Sequence, residues 1–344
     1  MAYRGALIGC GHISWQQLWA WGQIETAEIV AVCDLDGDRA RQRAQEFGIR
    51  AVYTDYERML DEVALDFVDI ATRPTSHLEL VAAAADRGMD VLCQKPLANS
   101  LAEADQMVSA CREAGVTLMV NENARHQAWF RKLKALLDEG ALGVPHYARF
   151  EERSRCSLPV PDFGDQSYLQ DMPRLVVHEM GVHYLDTARY FFGEADVAYA
   201  HLRRVSPHIA GEDLAVLLVA FGGLICVIDV NWSSIAEPAP EVAWGSVRVE
   251  GTQGTVALGQ DGVLTLYTGD GQQTWAFPEG TIGQSFVATQ RHFIECLDMG
   301  REPETSGAET LKTMGLVFAA YRSAAEERAV RVNEVLPSKP DNQR

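Results

Sequence analysis

An α/β fold is predicted: a doubly wound parallel sheet at the N-terminus, then an α+β domain built on a large, mostly antiparallel open sheet. Three observations predict it. Over the first 120 residues, short apolar runs alternate with amphipathic stretches, the rhythm of parallel strands joined by crossover helices. Glycines stand where those helices must stop, at Gly48, Gly88 and Gly115. Beyond Gly193 the helical pattern gives way to closely spaced apolar runs separated by Gly-rich links.

The runs at residues 6–8, 29–33, 51–53, 67–71, 91–93 and 117–120 read as six strands, with helices at 37–47, 75–87 and 100–114 between them. They make a first domain over residues 1–121. The second, over 122–334, opens with a charged helix at 128–139, a strand at 146–151 and an irregular segment at 153–173. A helix follows at 175–192, where Val176, Val177, Met180, Val182, Tyr184, Leu185, Ala188 and Phe191 recur at near-helical spacing. Strands at 213–221, 224–232, 247–250, 255–258, 263–267 and 274–277 come next. Gly222-Gly223, Thr252-Gln253-Gly254 and Gly269-Asp270-Gly271 link them as antiparallel hairpins. Helices at 284–299 and 308–329 close the domain, and 335–344 reads as a mobile tail.

Composition narrows the function. The chain has 344 residues, 47% apolar and 23% charged, as in ordinary globular proteins. Thirty Lys and Arg face 48 Asp and Glu, a formal charge of -18 that repels phosphate backbones and anionic lipid. Nucleic acid and membranes are therefore not expected as partners. The uncharged stretch 5–24 is broken by Gly9, Gly11, His12, Gln16 and Gln17, and the stretch 214–228 is too short to span a bilayer. Seven cysteines, odd in number and without a C-x-x-C pair, fit thiols in a reducing cytoplasm. Met1-Ala2-Tyr3-Arg4 leads straight into the first strand, so no secretory leader is expected.

Gly9-Cys10-Gly11-His12-Ile13-Ser14 follows the first strand and opens the first helix, the setting in which a G-x-G-x-x-G/A turn has meaning. Gly9 allows the tight turn, Gly11 lets backbone approach a pyrophosphate, and a small third residue lets helix pack on strand. Ser14 in that third place is a mild departure. Gly9, Gly11, His12 and Ile13 are thus assigned to a dinucleotide. Twenty residues past Ser14 the second strand ends at Asp34, whose carboxylate can accept from both ribose hydroxyls and repel a 2'-phosphate. NAD is favoured over NADP, with Arg39 and Arg41 leaving room for dual use.

The fifth strand runs into Gln94-Lys95-Pro96, and Pro96 holds Lys95 out of helical geometry at the carboxyl edge of the sheet, where open α/β sheets bind ligands. The fourth-strand edge supplies Thr72, Arg73, Pro74 and His77 as candidate cofactor-lining residues. In the second domain Glu179, His183 and Asp186 are spaced four and three apart, so regular helical geometry puts them on one face. A carboxylate one turn from an imidazole orients it as a general base. His178 and His183 are five apart and point to nearly opposite faces, so no zinc site is expected.

With these residues in hand, the chain resembles the family of glucose-fructose oxidoreductase, inositol dehydrogenase and the rhizopine-catabolism protein, Gfo/Idh/MocA. The likeness rests on Gly9-Cys10-Gly11-His12-Ile13, Ala31-Val32-Cys33-Asp34, Ala71-Thr72-Arg73-Pro74 with His77, Gln94-Lys95-Pro96, Asn123-Ala124-Arg125, Gly181-Val182-His183-Tyr184-Leu185-Asp186 and Val249-Glu250-Gly251-Thr252. It implies a Rossmann domain, a C-terminal domain whose open sheet mediates oligomerisation as a homodimer or homotetramer, and redox chemistry on a sugar, polyol or related hydroxyl. It implies His183 as the base, Lys95 as the cation at the developing alkoxide, and Asn123 near the nicotinamide. Arg125, on the substrate side, joins His126, Arg155, Tyr168, His178 and Trp232 as a substrate candidate. Two departures stand out: Gln94 replaces the usual Glu before the lysine, and Glu179 replaces the usual Asp four residues before the histidine. Two other readings fit the same cofactor site, an NAD-retaining glycosidase or lyase that oxidises its substrate transiently, and a redox-silent NAD-binding sensor.

Overall fold

The structure, a computed structural model, describes residues 2–235 and 242–336. The backbone divides into two compact units. One comprises the N-terminal residues up to Asn123 together with Gly283–Lys312, and the other Ala124–Ile282 and the residues from Thr313 onwards.

The first unit alternates strand and helix: β1 (Tyr3–Ile8), α1 (Ser14–Trp21), β2 (Ala27–Cys33), α2 (Gly37–Phe47), β3 (Ala51–Tyr53), α3 (Tyr56–Glu62), β4 (Phe67–Ile70), α4 (Pro74–Ala85), β5 (Asp90–Gln94), α5 (Leu101–Ala114) and β6 (Leu118–Asn121). All six strands are parallel, in the order β3-β2-β1-β4-β5-β6. This is the doubly wound arrangement, reversing direction at β1 and β4. Its helix ends are set locally. The Asp36 carboxylate accepts from the N–H of Asp38 and Arg39 at the start of α2. Gly48 and Gly115 close α2 and α5 in the left-handed conformation, with φ of 69° and 71°.

In the second unit α6 (Ala128–Asp138) and β7 (Pro145–Arg153) precede α7 (Val182–Phe192). Then come β8 (Val197–Arg203), β9 (Leu214–Phe221), β10 (Leu224–Asn231), β11 (Ser246–Gly251), β12 (Gly254–Leu258), β13 (Val263–Thr268) and β14 (Gly271–Ala276). With β15 (Val330–Arg331) they form a nine-stranded sheet, order β14-β13-β12-β11-β7-β10-β9-β8-β15. Its pairs are antiparallel except β10 with β7. The strand β8 has no counterpart in the sequence reading, because its outward residues Tyr199, His201 and Arg203 dilute the apolar run. One face of the sheet packs Ala148, Phe150, Leu217, Val219, Cys226 and Ile228 against Trp129, Phe130, Leu185 and Phe191 of α6 and α7. Strand side chains alternate, so the other face carries Tyr199, Val216, Leu218 and Ile225, all exposed.

Two long helices follow β14, α8 (Thr281–Met299) and α9 (Gly307–Glu326). The sequence reading puts all of 122–334 in the second domain, yet 283–312 belong to the first unit. The reason is the second face of the parallel sheet. Leu7, Val32, Phe67, Leu92 and Met119 are fully buried there, and a parallel sheet needs cover on both sides. The cover comes from α1 and α8: the Phe67 ring centroid lies 4.9 Å from that of Trp21 and 5.6 Å from that of Phe293. Among the described residues no helix is long and apolar enough to cross a membrane. Of the tail expected at 335–344, residues 337–344 lie outside the described residues.

Candidate active site

At the end of β1 the backbone turns through Gly9 with φ of 99°. A Cβ there would sit 2.8 Å from the carbonyl carbon and oxygen of Ala71, so only glycine passes between the two strand ends. Around Gly11, by contrast, nothing lies within 4 Å of the place a Cβ would take. The surface is open at the point where the motif brings backbone to a pyrophosphate. Ser14, fully buried, does more than keep the third position small. Its hydroxyl donates to the Gly11 carbonyl at 2.5 Å and accepts from Arg43 Nε at 2.9 Å. Arg43, on α2, also donates from Nη2 to the Gly11 carbonyl at 3.4 Å. No motif points to Arg43, since its role depends on how α2 packs beside the turn. His12 is exposed, and Ile13 half-buried.

Asp34 is half-buried and holds the loop after β1 and its own strand end. It accepts from the Cys10 N–H at 2.7 Å and the Asp36 N–H at 2.8 Å, one bond on each oxygen. A carboxylate has about four lone-pair sites, so it retains room for two ribose hydroxyls. The nearby arginines are tied to acids of their own helix end, Arg39 to Asp36 at 3.5 Å and Arg41 to Asp38 at 2.6 Å. Burial and the Asp34 charge push the Cys10 and Cys33 thiols up to about 12, which keeps them protonated.

His77 is placed differently from its expected cofactor-lining role. The ring is fully buried, with Nδ1 2.9 Å from the Leu97 carbonyl oxygen and Nε2 3.1 Å from that of Thr72. It therefore braces the loop after β4 against the loop after β5, and burial lowers its proton affinity. Thr72 accepts from the Ser76 hydroxyl at 2.8 Å, while Arg73 and Pro74 begin α4. On the β5 side the Gln94 carboxamide oxygen accepts the Lys95 N–H at 2.7 Å, and the Lys95–Pro96 peptide is cis. Lys95 is half-buried. Asn123, buried, donates to the Ser285 hydroxyl at 2.7 Å.

His183 lies in the second unit. The expected helix at 175–192 is α-helical only from Val182, and Val177–Gly181 form a π turn. Hydrogen bonds in a π turn run i to i+5, so the regular spacing that aligned Glu179 with His183 and Asp186 does not hold across it. Glu179 is half-buried within the turn, and His183 is buried with its ring centroid 5.1 Å from that of Trp244. Trp244 is not among the sequence candidates, because nothing local distinguishes it from a core aromatic. Glu212 caps the segment. Its carboxylate accepts the N–H of Leu175 and of Val177 at 3.1 Å and the Tyr321 hydroxyl at 2.6 Å.

Arg125 departs from its expected place at the substrate. It is buried, and its Nε and Nη2 donate to the two oxygens of Asp186 at 2.7 and 2.8 Å. The Thr313 hydroxyl donates to the same Asp186 at 3.0 Å, and the Arg125 guanidinium lies 5.2 Å from the Tyr190 ring centroid. The residue is thus an internal cation that pins α7. His126 is likewise buried, its Nδ1 accepting from Arg131 at 2.7 Å. Tyr168, half-buried, accepts from Gln166 Nε2 at 3.3 Å.

This geometry agrees with what the chain is similar to. Residues 3–122 match the Gfo/Idh/MocA oxidoreductase family over its NAD-binding Rossmann fold, and residues 130–257 match that family's C-terminal domain. The chain belongs to this family. A D-apiose dehydrogenase of Paraburkholderia graminis is 42% identical to it, an alignment that covers 98% of this chain and 92% of that protein. The D-apiose dehydrogenase of Rhizobium rhizogenes is 39% identical, with 97% and 98% covered. Among solved structures, an oxidoreductase from Agrobacterium radiobacter in complex with NAD+, L-tartaric acid and magnesium superposes with a TM-score of 0.90 at 37% identity, covering 97% of this chain and 99% of that one. Membership of the Gfo/Idh/MocA family makes the first unit an NAD-binding Rossmann domain and the chain an oxidoreductase. The fold and cofactor implied by the sequence resemblance hold.

Proposed function

We propose that this Gfo/Idh/MocA protein is an NAD-dependent dehydrogenase of a neutral sugar, and that D-apiose is its substrate. The observation that carries the reading is full-length similarity, at 42% and 39% identity, to two proteins named for that activity. The formal charge of -18 supports a neutral rather than an anionic substrate. Bound NAD supplies the hydride acceptor. Of the chain's own residues, His183 takes the proton from the reacting hydroxyl; Glu179, named with it from the sequence spacing, is left out of this role because the π turn removes that spacing. Lys95 stabilises the oxygen as negative charge develops, a contribution worth a few kcal/mol when a cation is preorganised.

NAD is preferred over NADP, on the support of Asp34 and of arginines already engaged by Asp36 and Asp38. The chain works in the cytoplasm, where its seven cysteines, six of them buried, stay as thiols. It forms a homodimer or homotetramer through the exposed sheet face bearing Tyr199, Val216, Leu218 and Ile225.

The test is NADH formation with D-apiose beside a panel of aldoses and polyols. Lys95→Ala and His183→Ala should each lower turnover roughly 100-fold or more, with NADH affinity mostly retained. No NADH above background with any sugar refutes the reading. Full turnover in either variant removes that residue from it. A monomer in sedimentation at working concentration removes the oligomer.

A further inference from the structure

Behind Lys95 runs a chain of buried amides that ends on a carboxylate. Asp69, on β4, is fully buried, and the Trp21 indole N–H donates to it at 2.7 Å. Gln17, also fully buried on α1, turns its amide nitrogen to this acid, 2.8 Å from each oxygen. Its carbonyl oxygen then accepts from Gln94 Nε2 at 3.3 Å and from Asn121 Nδ2 at 2.9 Å. Gln94 in turn accepts the Lys95 N–H on its own oxygen at 2.7 Å. Every link has one donor and one acceptor, and the direction of the whole chain follows from Asp69, whose oxygens accept from Trp21 and from the Gln17 nitrogen.

We propose that Asp69 and Gln17 are positioning residues for Lys95, and that position 94 carries an amide because the acceptor end of the chain is already taken by Asp69. A primary amide presents donors at one end only. With Glu at position 94, Gln17 would face carboxylates at both ends, and one contact would become oxygen against oxygen. An unpaired buried acceptor costs more than the bond it replaces. Moving the acid instead of adding it solves the conflict. When Asp69→Asn is combined with Gln94→Glu, the new amide at position 69 accepts from Trp21 and donates to a reversed Gln17, whose nitrogen then donates to the acid at position 94. Asn121, whose Nδ2 now faces Gln17 and whose Oδ1 has no hydrogen-bond partner, turns its amide over in the same variant so that Oδ1 accepts from the reversed Gln17 nitrogen.

The inference rests on Lys95 serving the reaction, as read above, and four full-length proteins purified with NAD test it: wild type, Gln94→Glu, Asp69→Asn and the double variant. Turnover, KM and the thermal midpoint are measured for each. Each single change should lower kcat about tenfold or more and lower the midpoint, with KM moved less than kcat. The double variant should return to within about threefold of wild-type kcat and regain most of the midpoint, a non-additivity expected only of directly coupled groups. A double variant carrying the combined loss of both singles overturns the proposal, as does a single change that leaves kcat and midpoint untouched. If a single variant fails to fold, the double must fold for the proposal to stand. Lys95→Ala separates the two claims: full turnover there defeats the role of Lys95, and the amide chain is then judged by recovery of the midpoint alone.

Discussion

Removing either partner of the Arg125–Asp186 pair tests whether Arg125 is an internal pin or a substrate ligand. Their side chains are 7% and 3% exposed, and the contact is bidentate, so neither charge keeps water as a substitute partner. Breaking a buried pair of this kind costs about 3–5 kcal/mol, because the remaining charge is left uncompensated. For a domain of this size each kcal/mol moves the melting temperature by about 2–4 °C, so Arg125→Met should lower it by roughly 6–20 °C. Asp186→Asn should do the same, since its amide nitrogen would meet the guanidinium donors. Combining Arg125→Met with Asp186→Leu should recover at least half of that loss, since both charges go together and apolar groups fill the space. The recovery stays incomplete, because the Thr313 hydroxyl, which donates to Asp186 at 3.0 Å, loses its acceptor. Differential scanning calorimetry at constant NAD gives the midpoints, and steady-state kinetics gives KM for the sugar. If Arg125→Met melts within about 2 °C of wild type, less than the shift of a single kcal/mol, while KM rises roughly tenfold or more, the pin is refuted and Arg125 returns to the substrate.

Asp34→Ala should weaken NADH about 10- to 100-fold in a fluorescence titration, the loss of charged hydrogen bonds to the ribose, while NADPH changes little. Tighter binding of NADPH than NADH by the unaltered protein would overturn the specificity. Asp69 should make stability fall as pH rises. Burial pushes its carboxyl up to about 7 against the opposing Trp21 donor, whereas the unfolded chain has the ordinary acid value. The folded form therefore holds the proton more tightly. The burial cost is absent below about pH 4, grows to about pH 7 and is constant above, with an upper bound of about 4 kcal/mol that the Gln17 donors reduce. Denaturant unfolding from about pH 4 to about pH 8 should give Asp69→Asn a flatter profile than wild type; parallel profiles would refute this.

The doubly wound sheet is legible in the sequence because its strands are short and apolar and three of the crossover helices between them end at a glycine, Gly48, Gly88 and Gly115, and these are local properties. The hairpins of the second sheet are legible from Gly222-Gly223 and Gly269-Asp270-Gly271 for the same reason. What escapes the sequence is what depends on distant partners. Phe293 packs on Phe67 from the far end of the chain, and no pattern within α8 announces which sheet it covers. Ser14 looks like an imperfect glycine until Arg43 and the Gly11 carbonyl are placed around it. His77 and Arg125 look ligand-facing in sequence because buried polar side chains and site-facing ones share the same residue types. Only the partner distinguishes them, a backbone carbonyl at each nitrogen of His77 and Asp186 at Arg125.

The segment that carries Glu179 and His183 is held from both ends by buried carboxylates, and this accounts for an otherwise uncommon piece of backbone. A helix start leaves N–H groups without intrahelical partners, and a π turn adds hydrogen bonds of poorer regularity. Glu212 meets the first problem by taking the Leu175 and Val177 N–H groups together. Burial and the Glu212 charge push the Tyr321 phenol well above its ordinary value, so it remains a donor and fixes the same carboxylate from a third side. At the other end Asp186, clamped by Arg125 and Thr313, fixes the rotation of α7 one turn beyond His183. The proposed role of His183 as a base would require its ring to be held to within about 0.5 Å, and an irregular turn left to itself would not hold it there. The two carboxylates supply rigidity from outside the turn, so Val177–Gly181 can leave α-helical geometry without loosening the helix that carries His183.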